Sequence, residues 1–321
     1  MKCLITGAGG FFGSEIVRQA QIAGIDLSTT DRHSLHRVPN VKYAAADILS
    51  IEDLQNVMVG IDSVIHAAGL AHIHDQKRVA TAPFYAINEQ GTYNVARAAA
   101  KAGVKHFVLV SSVSVYGNNG VIGSNEESPC QPENAYADSK WRAEQKALEV
   151  AESTGMDLTI LRMATLYGEG DPGNVGRLVK MVAQGRFVWI GNGSNRKSLI
   201  YRSDAARACI TALATPKSSI YNVSAAPSTM REVVTNLSIA LGRSVPRWHI
   251  PASLALATAG IGSKLLPFSR FRRLHTTVRK WVADDFYDAT KFCKTFNFQP
   301  QVSLAEGLQR EVAWYRQHTA L

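Results

Sequence analysis

The chain has 321 residues, 46% hydrophobic and 19% charged, which is enough to bury a large core and long for one compact module. Its four cysteines, Cys3, Cys130, Cys209 and Cys293, stand singly, with no Cys-x-x-Cys and no Cys/His cluster. That excludes a disulfide scaffold and a structural metal site and suits a reducing compartment. The formal net charge of +9 has no aromatic-interleaved basic groove or helix-turn-helix spacing around it, so nucleic acid is not an expected partner.

The first strand is expected over 2–6, leaving no room for a signal peptide and giving the expectation of a cytoplasmic protein. It runs straight into Gly7-Ala8-Gly9-Gly10-Phe11-Phe12-Gly13, then a helical run over 14–23. Three glycines at this spacing have separate uses. Gly7 lets the chain turn, Gly10 lets backbone approach a pyrophosphate, and Gly13 lets helix and strand pack closely. The unpaired N–H groups and positive dipole end of the helix face the anion. An acid, Asp31, follows the second strand (26–30) at the distance a dinucleotide site requires. The chain is therefore expected to hold NAD or NADP.

Further strands are expected over 41–45, 63–66, 106–111 and 157–162, with helices over 51–58, 84–102 and 136–153. This alternation predicts an α/β fold, a Rossmann doubly wound parallel sheet. The helix over 84–102 is rich in small residues and would pack on the sheet or on another subunit. Beyond Gly168 turn residues interrupt the pattern. The expected division is a dinucleotide-binding domain over 1–168, with 204–223 returning to it. A smaller substrate-binding α/β lobe would comprise 169–203 and 224–321.

The fifth strand ends in Ser111-Ser112, at the sheet edge where open α/β folds place their sites. Downstream, Tyr136 and Lys140 lie four apart, on one helical face. Together Ser112, Tyr136 and Lys140 form a set suited to oxidising an alcohol, whose proton must leave with the hydride. A free tyrosine, with a pKa of about 10, is too weakly acidic to serve as base at neutrality. A neighbouring ammonium and an oxidised nicotinamide would both favour its phenolate. Ser112 would orient the reacting oxygen, and Lys140 would also grip the nicotinamide ribose.

The segment 250–263 is apolar but too short and glycine-rich to span a bilayer comfortably. It leads into 264–280, which carries six Lys/Arg and no acid. A buried helix followed by a solvated basic loop is one reading. Peripheral contact with an anionic membrane is the other.

With the glycine loop, Asp47-Ile48, His66-Ala67-Ala68-Gly69, Asn88-Glu89-Gln90-Gly91-Thr92, Ser111 to Gly117, Tyr136 to Lys140 and Leu161 to Gly168, the chain resembles extended short-chain dehydrogenases/reductases. Within them it is similar to the NAD-dependent epimerase/dehydratase family, over nearly its full length. The resemblance implies that Asp31 holds the adenine ribose, that Asp47 and Ile48 flank the adenine, and that Ala67, Ala68 and Gly69 pass beside the cofactor. Phe11, Phe12, Arg32, Asn88 and Ser111 join the implied cofactor set. The charge of Asp31 favours NAD over NADP, although Arg32 could accommodate a 2′-phosphate.

It further implies that Asn174 contacts a substrate diphosphate and that Arg196 or Lys197 clamps it, unless these two cations form a solvated turn. Thr165 stands in the pocket where many relatives carry asparagine, and Met163 and Arg202 are further departures. Val113 and Ser114 occupy the places of the acid pair that family dehydratases use, so dehydration is not expected. What remains is NAD-dependent 4-epimerisation of a diphosphate-linked sugar, for surface polysaccharide. The carrier would be UDP on a hexose or N-acetylhexosamine, or polyprenyl diphosphate. An NAD(P)H-dependent 4-ketoreductase and a hydroxysteroid-type dehydrogenase are the alternatives. The resemblance also implies a homodimer through the helices 84–102 and 136–153, with Ala96, Ala98, Ala99, Ala143 and Ala147 permitting close approach. The location would be cytoplasmic, at the inner membrane surface if lipid is bound.

Overall fold

The computed structural model describes residues 1–32, 41–71, 81–117, 121–255 and 282–319. Apolar runs form the centre of a seven-stranded sheet made of β1 (Lys2–Thr6), β2 (Asp26–Asp31), β3 (Lys42–Ala45), β4 (Ser63–His66), β5 (His106–Ser112), β6 (Asp157–Met163) and β11 (Ser219–Val223). The order is β11-β6-β5-β4-β1-β2-β3 and every pairing is parallel. The central strands are buried along most of their length, as a sheet covered on both faces requires. The order reverses between β1 and β4, which opens a crevice at their carboxyl ends.

The helices attached to this sheet are α1 (Gly13–Ile22), α2 (Ile51–Val57), α4 (Gly91–Lys101), α5 (Ala135–Thr154) and α7 (Arg202–Ala214). Leu54, Val95, Ala147 and Val150 on α2, α4 and α5, with Met58 just after α2, share one core with Leu4, Val64, Phe107, Leu109 and Ile160 of the sheet. On α7, Ala205, Ala206, Ala208, Cys209 and Ala212 are buried, and the helix packs against α1. The Asn134 side chain caps α5 by accepting from the Ala137 N–H (3.0 Å), and the helix stops at Gly155, which has a φ of 73°.

The helix expected over 84–102 is divided. A short turn α3 (Ala82–Phe84) leads into six π-helical residues, Tyr85–Gln90, before α4. The wider turn brings Asn88 to the loop after β4, and Gly91 to Ile48, where a Cβ would come 2.5 Å from Ile48 Cδ1. The alanines expected at a dimer interface have another use. Ala96, Ala99, Ala143 and Ala147 are fully buried within the chain and Ala98 nearly so, because α4 and α5 pack on each other and on the sheet. The exposed Arg97 and the half-buried Lys146 instead lie over the Tyr93 ring.

Contacts divide the chain into two compact units. The first is Met1–Ala164, Arg202–Ser224 and Asp288–Pro300; the second is Thr165–Tyr201, Ala225–Tyr287 and Gln301–Leu321. The main difference from the expected boundaries is Asp288–Pro300, which joins the first unit. Its helix α9 (Thr290–Phe296) buries Phe292 against Tyr221 of β11 (ring centroids 5.8 Å apart). All four cysteines lie in the first unit, with Cys3 and Cys209 buried.

The second unit has α6 (Asn174–Ala183), α8 (Met230–Leu241) and α10 (Leu304–His318) around Val179, Trp189, Leu237, Leu308 and Val312. Among its described residues there are also three two-stranded ladders: β7 (Thr165–Tyr167) with β10 (Leu199–Tyr201), β9 (Arg196–Lys197) with β12 (Ser228–Thr229), and β8 (Trp189–Ile190) with β13 (His249–Ile250). The expected basic stretch 264–280 lies outside the described residues.

Candidate active site

Four strand ends meet at the carboxyl edge of the first unit's sheet. β1 leads to Gly7, β2 to Asp31, β4 to Ala67-Ala68-Gly69, and β5 to Ser112. Gly7 has a φ of +70°, and a Cβ there would come within 2.6 Å of the Ala68 backbone. A Cβ on Gly13 would overlap the Gly7 carbonyl oxygen. The protein itself therefore requires both glycines. Gly10 differs: it is exposed, and a Cβ there would meet only the Gly7 carbonyl oxygen, at 3.3 Å. Glycine at this position is explained by a ligand that approaches the backbone. Beyond it, Phe12 precedes α1 without a side-chain cap, and the Ser14 and Glu15 N–H groups donate to the Gly10 and Phe12 carbonyls (3.0 and 3.1 Å).

Asp31 Oδ2 accepts from the Gly9 N–H (3.0 Å), so the acid braces the glycine loop, and Arg32 follows it. Asp47 Oδ1 accepts from the Leu49 N–H, while the Ile48 carbonyl accepts from Asn94 Nδ2. Ala67 and Ala68 donate to the Thr6 carbonyl and hydroxyl respectively.

Two residues expected beside the cofactor make hydrogen bonds within the protein. Asn88 is fully buried. Its Oδ1 accepts from the Leu70 N–H (2.7 Å), and its Nδ2 donates to the Leu70 carbonyl (3.0 Å) and Ser139 Oγ (2.9 Å). The Ser139 hydroxyl donates to the Tyr136 carbonyl, so Asn88 ties the loop after β4 to the start of α5. Ser111 Oγ donates to Glu144 (2.5 Å), within the core.

Ser112, Tyr136 and Lys140 gather as expected. Ser112 Oγ accepts from the Ser114 N–H (3.2 Å) and lies close enough to the Tyr136 phenol to act on its acidity. Burial raises the Tyr136 pKa, and the Ser112 hydroxyl only partly opposes it. Lys140 Nζ donates to the Val110 carbonyl (2.6 Å). Burial brings Lys140 down to about 8, and the Glu144 carboxylate works against that fall. The Tyr136 ring is held by an edge contact with Phe84, centroids 6.2 Å apart. His66, buried between Thr6 (2.7 Å) and Thr92 (3.0 Å), is pushed down to about 3 by burial and stays neutral.

Several residues at this edge were not among the expected site residues. Glu144 accepts from Arg162 through two nitrogens (2.7 and 3.0 Å), and Arg162 also donates to the Tyr116 hydroxyl (2.9 Å). The i, i+4 continuation from Tyr136 through Lys140 to Glu144 is visible in the sequence, as is the charge of Arg162 within an apolar strand. Ser114 Oγ is buried and has no hydrogen-bond partner. Arg202 lies over the Phe11 ring (4.9 Å) and donates to Ser14 Oγ (3.2 Å). It also faces Glu15, whose carboxyl burial would raise but which Arg18, Gln19 and Arg202 hold below its ordinary value.

The expected substrate residues belong to the second unit. Thr165 begins β7, in register with Leu199. Asn174 is exposed at the first position of α6, whose start is ordered by Asp171 accepting from the Gly173 (2.6 Å) and Gly176 (2.8 Å) N–H groups. The Arg196 guanidinium lies 3.9 Å from the Phe286 ring centroid and 3.7 Å from Asp284, and Lys197 Nζ donates to the Ala283 carbonyl (3.0 Å). Both candidate clamp residues thus already have partners in 283–286.

Comparison with known proteins agrees with this geometry. The N-acetyl-α-D-glucosaminyl-diphospho-ditrans,octacis-undecaprenol 4-epimerase of Escherichia coli O157:H7 is 31% identical over 319 residues, covering 97% of this chain and 94% of that protein. The UDP-glucose 4-epimerase of Vibrio cholerae is 28% identical, covering 78% of each. Among solved structures, UDP-glucuronic acid 4-epimerase from Bacillus cereus, in complex with NAD, shares the fold with a TM-score of 0.78 at 21% identity, covering 99% of both chains. The model of the NAD dependent epimerase/dehydratase family matches residues 3–224, and the chain belongs to that family.

Proposed function

We propose that this chain is a sugar 4-epimerase whose substrate is a hexose or N-acetylhexosamine linked to UDP or to a polyprenyl diphosphate. The observation that carries the reading is the gathering of Ser112, Tyr136 and Lys140 at the end of β5, with Val113 and Ser114 where a dehydratase would need an acid pair. The similarity to an epimerase of a lipid-linked N-acetylglucosamine supports the polyprenyl carrier. A product of that kind would serve surface polysaccharide synthesis.

The first unit's residues fit NAD. The open side of Gly10 and the uncapped start of α1 would receive the pyrophosphate, and Asp31 the adenine ribose. Bound NAD supplies a reversible hydride acceptor at the sugar carbon. Ser112 orients the C4 hydroxyl, and Tyr136 takes its proton and later returns it. Because burial raises the Tyr136 phenol, the phenolate needs positive charge beside it, which Lys140 brings once it turns from the Val110 carbonyl. The keto sugar then presents its other face, and the net reaction consumes nothing. In the second unit, Asn174, Arg196 and Lys197 are the proposed diphosphate ligands and Thr165 a pocket residue. A homodimer through the outward faces of α4 and α5 is part of the same reading, with Tyr93 and Arg97 in the contact.

The test is to incubate the purified protein with UDP-glucose, UDP-N-acetylglucosamine and polyprenyl-diphospho-N-acetylglucosamine, adding no cofactor, and to follow C4 inversion by NMR. Inversion of at least one donor is expected. Tyr136→Phe should lower the rate about 10²–10⁴-fold, the usual contribution of a general acid–base group. Turnover of none of the three, with reduction of a 4-keto sugar by NAD(P)H, would replace the epimerase reading by a reductase.

A further inference from the structure

The second unit exposes large apolar side chains where its sequence has no acid. Trp248 is 80% exposed, Ile239 64%, Leu254 55% and Ile250 40%. The backbone that carries two of them is fixed. The Trp189 N–H donates to the Trp248 carbonyl and the Gly191 N–H to the Ile250 carbonyl, each at 2.9 Å. Side chains alternate along β13, and His249 stacks on the Trp189 ring (centroids 5.8 Å apart, 12° between planes). Trp248 and Ile250 therefore share the opposite face. Arg243 and Arg247 beside them are exposed. From Val233 to Ala283 the sequence has eight Lys/Arg and no Asp or Glu.

We propose that Trp248, Ile250 and Leu254, flanked by Arg243 and Arg247, form a surface that docks on an anionic lipid bilayer. Solubility alone does not account for an ordered, outward tryptophan among aliphatic side chains. An indole with apolar neighbours and cations suits the headgroup level of a membrane, where the ring is half-immersed and the guanidinium groups meet lipid phosphates. The absence of carboxylates from the run removes the repulsion that would oppose this contact. The surface bears on the proposed function, because a polyprenyl carrier is held in the bilayer, but it is argued from exposure and charge and is tested without turnover.

The full chain is mixed with phosphatidylcholine vesicles made with and without phosphatidylglycerol, and sedimentation and tryptophan emission are measured. The wild type should sediment with the anionic vesicles with a blue-shifted emission, and less so as salt is added. The triple variant Trp248→Ser, Ile250→Ser, Leu254→Ser should weaken that binding by at least about tenfold, since affinity follows the apolar area inserted. Arg243→Gln with Arg247→Gln should weaken binding to anionic vesicles and leave any binding to neutral ones unchanged. Thermal melting checks that each variant is folded, and turnover of a UDP-sugar should be unaltered. Equal sedimentation of the wild type with both vesicle types, or a triple variant that binds like the wild type, would overturn the proposal. So would a triple variant that turns a wild-type dimer into a monomer, which would make this face a contact between copies of the chain.

Discussion

At the scale of single residues, the three loop glycines separate folding from binding. Gly13→Ala would drive a Cβ into the Gly7 carbonyl oxygen and should prevent stable folding. Gly10→Ala meets little of the protein. It should melt within a few degrees of the wild type while its NAD affinity falls by at least about tenfold, the backbone approach being lost. Calorimetry and NAD titration would read the two effects separately. Glu311, fully buried on α10, offers a second test. Burial first, and the Asp171 carboxylate second, push its carboxyl up to about 9. Between the ordinary value of 4.5 and that value the folded chain keeps a proton the unfolded chain gives up, so stability falls as pH rises through this window. Glu311→Gln should flatten that dependence and, at pH 7, stabilise the second unit by about 2–3 kcal/mol. Melting temperatures recorded from pH 5 to about 9 would show it; a variant parallel to the wild type would exclude a buried, protonated Glu311. The glycines, Ser112, Tyr136 and Lys140 were legible because chemistry fixes their residue type and spacing. Glu311 was not, since nothing in a helical pattern separates a buried acid from an exposed one.

At the scale of elements, α5 carries Tyr136, Lys140 and Glu144 along one face, and its register is set by the Asn134 cap and by the bond from Asn88 to Ser139. Glu144 is fully buried and faces Arg162, Ser111 and the charge of Lys140. Glu144→Gln would leave the Arg162 guanidinium uncompensated and should cost about 3–5 kcal/mol. In whatever folded fraction remains, Lys140 loses the carboxylate that supports its protonated form, so the alkaline limb of the rate profile should move to lower pH. A purely structural role for Glu144 would lower stability without moving that limb. The first six strands of the sheet and the helices α1, α2 and α5 were legible to within about two residues, because parallel buried strands give unbroken apolar runs between amphipathic helices, whereas α7, β11 and α9 were not predicted as elements. The π turn was not. Its cause is one buried amide, Asn88, reaching a loop eighteen residues earlier, and periodicity does not register a single long-range bond.

At the scale of the whole chain, contacts divide it into two compact units, each assembled from separate segments of the sequence. Asp288–Pro300 belongs to the first unit because Phe292, Phe296 and Phe298 cluster with Tyr221, a contact made across about seventy residues of sequence. The dimer through α4 and α5 was implied by the resemblance, with their alanines permitting close approach, and those alanines serve the chain's own core. Small side chains report close packing, not what is packed. The substrate lobe was the least legible part, since its three short ladders carry two or three residues per strand and leave almost no alternation to read.

The placement of the cysteines gives the molecule an internal clock. Burial pushes the Cys3 thiol up to about 12 and Cys130 to about 11, and it raises Cys209 and Cys293 as well. At neutral pH the buried Cys3 and Cys209 are thiols closed to reagent in the native state, and both lie in the dinucleotide-binding unit. The rate at which an alkylating reagent consumes them therefore times the opening of that unit alone, while the second unit stays silent. Saturation with NAD should slow labelling in proportion to the occupancy of the native state, so the dissociation constant of the cofactor can be read from the chemistry of two buried thiols.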